Sequence, residues 1–278
     1  MLREIGEFLV LTALIVVVAR FLLYQPAKGI AQRLKFSEHG AGQLLGYLTS
    51  APELVATIAV AATGLMATVA YNILSSNIIN VLLALLAATI YGQLRHLLSR
   101  KFWREQVLIA ISILVPIGLL LTNQITSAWV IPAFIVAYIG YLLVIRRISA
   151  DGAAPSEPDE AVHVEVDHRF SLRTYVILNV LLIGAALAGL YFLGTALGDT
   201  VYQLGTTFGV PEIVLGALIG VVTSLPELTT FFSSYMWHRN NGSDRANEEV
   251  MHNMLASNAS NLLLIQTIGL GVFLLVAG

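Results

Sequence analysis

Eight stretches of the chain, at about 6–23, 40–63, 68–91, 105–122, 126–145, 172–194, 209–236 and 248–276, are apolar almost without interruption. A helix that crosses a bilayer needs roughly 20 mostly apolar residues. Each run is therefore predicted to span, and the expected fold class is an all-α integral membrane protein with about eight transmembrane helices. The first run follows Arg3 and Glu4 and shows no small-residue cleavage site. It is expected to be the first span rather than a removed signal peptide.

The polar positions set the orientation. Fourteen of the fifteen basic residues fall, for eight spans, in the loops of one face, and only Arg3 falls on the other. Basic loops mark the cytoplasmic side, so a multi-pass cell-membrane protein with both termini outside is expected. The longest hydrophilic stretch, "SADGAAPSEPDEAVHVEVDHR" (Ser149 to Arg169), carries six acids. It divides the chain into a first half at 1–148 with five spans, an acidic cytoplasmic linker at 149–170, and a second half at 171–278 with three spans. Its acids and His163 and His168 could be assembled into a regulatory cation site, but charge-rich, Pro-containing segments rarely order themselves, and a solvated linker is the preferred reading.

Composition narrows the chemistry. Charged residues make up 12% of the chain, against about 25% in soluble domains. With no cysteine there are no disulfides, thiolate metal sites or cysteine nucleophiles. Nothing pairs a nucleophile with a base, so an enzyme is not expected, and no cofactor or nucleic-acid partner is suggested.

Of the seventeen acidic residues, only Glu53 and Glu227 fall well inside an apolar run. An ionisable residue within the membrane is costly and marks function by default. Both occur in the same wording, "GYLTSAPEL" (Gly46 to Leu54) and "GVVTSLPEL" (Gly220 to Leu228), which agree at six of nine positions. Each is followed by a second matched element, "NILSSNIIN" (Asn72 to Asn80) and "NMLASNASN" (Asn253 to Asn261). The first repeat covers about 40–91 and the second about 209–276. The two cassettes lie on the second and seventh spans, an odd offset of five, so matched helices cross the membrane in opposite directions, an inverted repeat. Such repeats place a site near the midplane at broken helices.

The residue types suit a cation. Pro52 and Pro226 free carbonyls in the preceding turn, and Gly46 and Gly220 admit close backbone approach. Thr49, Ser50, Thr223 and Ser224 add hydroxyls within a turn of the glutamates. Ser76, Asn80, Ser257 and Asn261 recur at i, i+4 and share a helix face. Together they offer the oxygen ligands that Ca2+ prefers. Taken singly, each Ser or Thr is better read as bonding its own helix backbone, and small residues and Asn as packing glue. Agreement across two cassettes, each with a buried carboxylate, is not explained by packing.

The cassettes resemble the α-repeats of the cation/calcium antiporter superfamily. The Thr-Ser-x-Pro-Glu-Leu wording is closer to its sodium/calcium exchanger branch than to the proton/calcium branch. The resemblance implies that Glu53 and Glu227 are the central acidic ligands, assisted by the hydroxyl and amide residues named above. It also implies that the first and sixth spans slide across the core to alternate access. The chain departs in carrying Asn261 where the family often has Asp, in having Ser75 and Ala256 where Gly is usual, and in having eight rather than ten spans. Either the two extra spans are dispensable, or another subunit, as in a homo-oligomer, supplies their contacts, or the chain does not transport alone.

The expected function is secondary cation antiport, Na+/Ca2+ exchange by alternating access at one midplane site, with Ca2+ and Na+ as transported ligands and the lipid bilayer as partner. The alternatives are an H+/Ca2+ or other cation exchanger, and a non-transporting cation-binding membrane subunit. His252 lies near the site by sequence and titrates near neutrality, but at a helix start it is read as a surface residue.

Overall fold

The computed structural model describes residues 2–34, 38–152, 171–240 and 245–277. The acidic linker, apart from its first residues, lies outside this range, and with it the regulatory cation site considered for its acids. All regular structure among the described residues is helical. Helix α1 (Leu2–Val18) runs through a π-helical turn (Ala19–Tyr24) into α2 (Gln25–Arg33). It is followed by α3 (Glu38–Thr49), α4 (Ala51–Ala62) and α5 (Met66–Ile90). A short α6 (Leu94–Leu97) precedes α7 (Trp103–Leu121) and α8 (Val130–Gly152). The second half holds α9 (Leu172–Thr206), α10 (Glu212–Thr223), α11 (Leu225–Asn240) and α12 (Ala246–Ala259). A second π-helical turn (Ser260–Ile265) leads into α13 (Gln266–Ala277).

Among the described residues, seven helical stretches are long and apolar enough to cross a membrane. They coincide with seven of the eight expected runs. The remaining run, 126–145, is also helical, but its apolar part, Val130–Ile145, is shorter than a full span.

The two halves interlock rather than lying side by side. Helix α10 packs along α5, and α3 packs along α12, so the first part of each broken span lies on the unbroken span of the other repeat. Glycine permits this in both places. A Cβ on Gly46 would stand 2.7 Å from the Asn253 carbonyl oxygen, and one on Gly220 would stand 2.6 Å from the Asn72 carbonyl oxygen. Close backbone contact is the usual route to stable helix pairs in lipid, where apolar burial gives little driving force. Ser75 and Ala256 face these glycines and do not prevent that approach, because the glycines leave the gap.

The core is layered along the helix axes. One apolar cluster gathers Val69, Ala70 and Ile73 of α5 with Ile265 and Leu270, on the side of the turn at 63–65. A second gathers Ala84, Ala87 and Ala88 of α5 with Val250, Met251 and Leu255 of α12. Between them α5 presents Ser76, Asn77 and Asn80, all fully buried, at the middle of its length. The polar side chains thus form a layer halfway along the bundle. Helices α1 and α9 pack on each other, and α9 also crosses α4. Their outer faces are apolar and exposed, as at Leu181, Tyr191 and Phe192, which is what lipid contact requires.

Candidate cation-binding site

Both cassettes break their helix in the same way. Helix α3 ends at Thr49, and α4 restarts at Ala51 after Ser50 at φ −80°, ψ 3°. Helix α10 ends at Thr223, and α11 restarts at Leu225 after Ser224 at φ −81°, ψ 0°. The prolines sit in the first turn of the restarted helix, where a missing N–H is tolerated. The carbonyls of Leu48 and Val222, four residues earlier, receive no amide from them. Glu53 and Glu227 then stand in the first turn of α4 and α11, where the helix dipole favours an anion.

The structure brings the sequence-predicted residues to one place. Thr49, Ser50, Glu53, Ser76, Asn80, Thr223, Ser224, Glu227, Ser257 and Asn261 are each at most 1% exposed. Ser257 Oγ donates to Glu227 Oε1 at 3.0 Å and lies 2.9 Å from Ser50 Oγ. Ser224 Oγ donates to Glu53 Oε1 at 3.5 Å. Thr223 also stands within hydrogen-bonding reach of Glu53, and Thr49 of Glu227. Asn80 Nδ2 donates to Ser257 Oγ at 3.1 Å and to Asn258 Oδ1 at 3.0 Å. Glu227 is therefore served by hydroxyls of both repeats, and Glu53 by two hydroxyls of the opposite repeat.

Several hydroxyls also bond back to their own helix. Thr49 and Ser50 both donate to the Gly46 carbonyl, and Thr223 donates to the Ile219 carbonyl. A hydroxyl that gives its proton to its own helix keeps its lone pairs as acceptors.

The free atoms decide what the site can hold. Glu53 Oε2, Glu227 Oε2, Asn80 Oδ1 and Asn261 Oδ1 are buried without a hydrogen-bond partner. All are oxygens and acceptors. Buried polar groups are normally satisfied, so matched unpartnered oxygens from both repeats suit a cation and not an anion. Among the described residues no group of three or more His, Asp or Glu gathers as a metal site. A cation here would meet two carboxylates and neutral oxygens.

Sequence reasoning left out part of the layer. Asn77 Nδ2 donates to the carbonyl oxygens of Ser112 and Asn258, and Asn258 Nδ2 returns a bond to the Asn77 carbonyl. Asn261 Nδ2 donates to Asn77 Oδ1 at 3.1 Å. These asparagines belong to the matched cassettes, and their i, i+3 spacing to Asn80 and Asn261 was the signal that placed them on the site's face. His252 is a correction. It is 9% exposed on α12 rather than a surface residue, because α12 starts at Ala246 and its second turn is already covered by neighbouring helices.

The crystal structure of an H+/Ca2+ exchanger, CAX, superposes on this chain with a TM-score of 0.70 at 16% sequence identity, over 99% of this chain and 68% of the exchanger's. That likeness extends the fold assignment to a known exchanger architecture. No individual curated protein matches the sequence. The family profile described as sodium/calcium exchanger protein matches residues 5–146 and 178–278, the two halves that carry the cassettes. The chain is thus a multi-pass membrane protein that belongs to the sodium/calcium exchanger protein family.

Proposed function

We propose that this chain is a secondary antiporter that moves Ca2+ against Na+ by alternating access at the site of Glu53 and Glu227. The observation that carries the reading is the pair of unpartnered carboxylate oxygens, one from each repeat, beside unpartnered oxygens of Asn80 and Asn261. Two carboxylates balance one Ca2+ or two monovalent cations, so the two kinds of ion compete for one place and cannot share it. Competition at a single site that opens to one side at a time is sufficient for exchange.

The ligands in this reading are Glu53, Glu227, Thr49, Ser50, Thr223, Ser224, Ser76, Asn80, Ser257 and Asn261. Because all are sealed from solvent, ions enter and leave only if neighbouring helices move. Helices α1 and α9 are suited to that movement. They pack on each other, and α9 crosses α4 at Gly194 and Gly198, which face Val55 and Ala59 without side chains of their own. The basic loops face the cytoplasm in this reading, with the termini outside.

Exchange of Ca2+ for H+ is the second reading, favoured by the architecture shared with the H+/Ca2+ exchanger CAX. The Thr-Ser-x-Pro-Glu-Leu wording of both cassettes favours Na+. Purified protein in liposomes separates them. Ca2+ uptake driven by an outward Na+ gradient, and not by a pH gradient, is the expected result. Uptake driven by the pH gradient alone supports the second reading, and Ca2+ binding without flux supports a non-transporting subunit.

A further inference from the structure

Thr57, Asn72 and Gln266 are buried polar residues that the midplane site does not use. Thr57 follows Glu53 by four residues on α4, so it shares that face about 6 Å further along the helix. Asn72 Nδ2 donates to Thr57 Oγ1 at 3.3 Å, and Asn72 Oδ1 has no partner. Gln266 opens α13, is 0% exposed, and neither Oε1 nor Nε2 has a partner.

The helix register brings them together. Helix α5 runs antiparallel to α12 and α13, with Asn80 bonded to Asn258 and Asn77 bonded to Asn261. Further along, a Cβ on Gly269 would stand 3.2 Å from Val69 and 2.5 Å from Thr57. Every step forward on one helix is matched by a step back on the other. Gln266, one turn before Gly269, accordingly stands opposite Asn72, one turn after Val69.

The surroundings make the group unusual. Ala56, Val60, Ile73, Ile265 and Leu270 belong to the apolar cluster on the side of the 63–65 turn, and a carboxamide buried there unpaired is costly. The other repeat copies only the asparagine, as Asn253. Cassette alignment puts Phe231 at the position of Thr57 and Leu85 at that of Gln266, and both pack in the opposite apolar cluster. Packing that duplication had carried over would be present in both halves.

We propose that Thr57, Asn72 and Gln266 form a second station for a monovalent cation, between the paired glutamates and the side of the 63–65 turn. The proposal rests on the antiport reading and adds to it an asymmetry between the two sides. Its oxygens are neutral hydroxyl and carboxamide groups. Neutral carbonyl-type oxygens hold monovalent cations well enough to bind and weakly enough to release, whereas Ca2+ sites are tuned by ligand charge. At about one helical turn from Glu53, a cation here is repelled by Ca2+ in the midplane site, so the station fills as Ca2+ leaves.

Thermal unfolding of the purified full chain tests this without transport. Na+ and Ca2+ are titrated separately, with choline as the ionic-strength control, for the parent, Gln266→Leu, Thr57→Val and Gln266→Glu. The first two raise the Na+ midpoint at least about fivefold and move the Ca2+ midpoint less than about twofold, while Gln266→Glu lowers the Na+ midpoint. Gln266→Glu carries the test alone if the apolar variants fail to fold. A Na+ midpoint that no variant moves overturns the station and leaves its carboxamides to water. A parent that Na+ stabilises no better than choline also overturns it, and Ca2+ stabilisation in the same samples then leaves the glutamate site standing. Loss of Ca2+ stabilisation as well removes the antiport reading.

Discussion

Asn77 and Asn258 hold each other's backbone. Asn258 Nδ2 donates to the Asn77 carbonyl at 3.1 Å, and Asn77 Nδ2 donates to the Asn258 carbonyl at 3.4 Å. They occupy the same position in the two cassettes, so the exchange is what a two-fold axis between α5 and α12 produces. The next pair repeats it, with Asn80 donating to Asn258 Oδ1 and Asn261 donating to Asn77 Oδ1.

This reciprocity predicts coupled stability. Asn77→Ala and Asn258→Ala each strand groups on the partner, and buried unsatisfied groups cost about 1–3 kcal/mol. The double variant costs less than the two single losses together, with a coupling of about 0.6–2 kcal/mol, the range for polar contacts between membrane helices. A double-mutant cycle in denaturant or heat measures it. Strict additivity would show that the two side chains do not act on each other.

Glycine spacing predicts matched losses in the two halves. Gly46→Ala meets the Asn253 carbonyl and Gly220→Ala meets the Asn72 carbonyl, both well inside contact distance. Overpacking of this kind costs about 1–3 kcal/mol. Gly118→Ala, with open space around it, serves as the control and leaves the melting temperature unchanged.

Much of this arrangement was legible in the chain. The apolar runs gave seven helices of full length because hydropathy is the dominant constraint in a bilayer. The repeated Glu53 and Glu227 cassettes pointed to the residues that the structure gathers in a buried polar layer, because buried charge is rare in a bilayer. The interlock of α10 on α5 and of α3 on α12 was not legible, since periodicity within one helix does not say which other helix covers it. Asn77 stood in the quoted cassette, yet its pairing with Asn258 depends on an antiparallel register between spans far apart in sequence. Gln266 carried no signal at all. A lone polar residue in an apolar run becomes informative only when its burial and the Leu85 at its matched position are seen together.

The bond from Asn261 to Asn77 sets the outcome of restoring the family's more common acid. In Asn261→Asp the donor that meets Asn77 Oδ1 at 3.1 Å is lost, and an oxygen faces an oxygen. Without Ca2+ the variant is less stable than its parent by about 1–3 kcal/mol. Added Ca2+ meets a third carboxylate, so the rise in melting temperature on Ca2+ addition is larger than in the parent. Equal rises in both proteins would place residue 261 outside the ion's reach.

The most direct test of the account is Ca2+ flux through Glu53→Gln and Glu227→Gln in liposomes under an imposed Na+ gradient. Each substitution keeps the size of the side chain and removes one of the two buried carboxylates. With folding verified by an unchanged elution profile and helical content, flux in both variants falls to that of protein-free vesicles. Ca2+ exchange that persists in either folded variant would contradict the claim that the paired glutamates hold the transported ion.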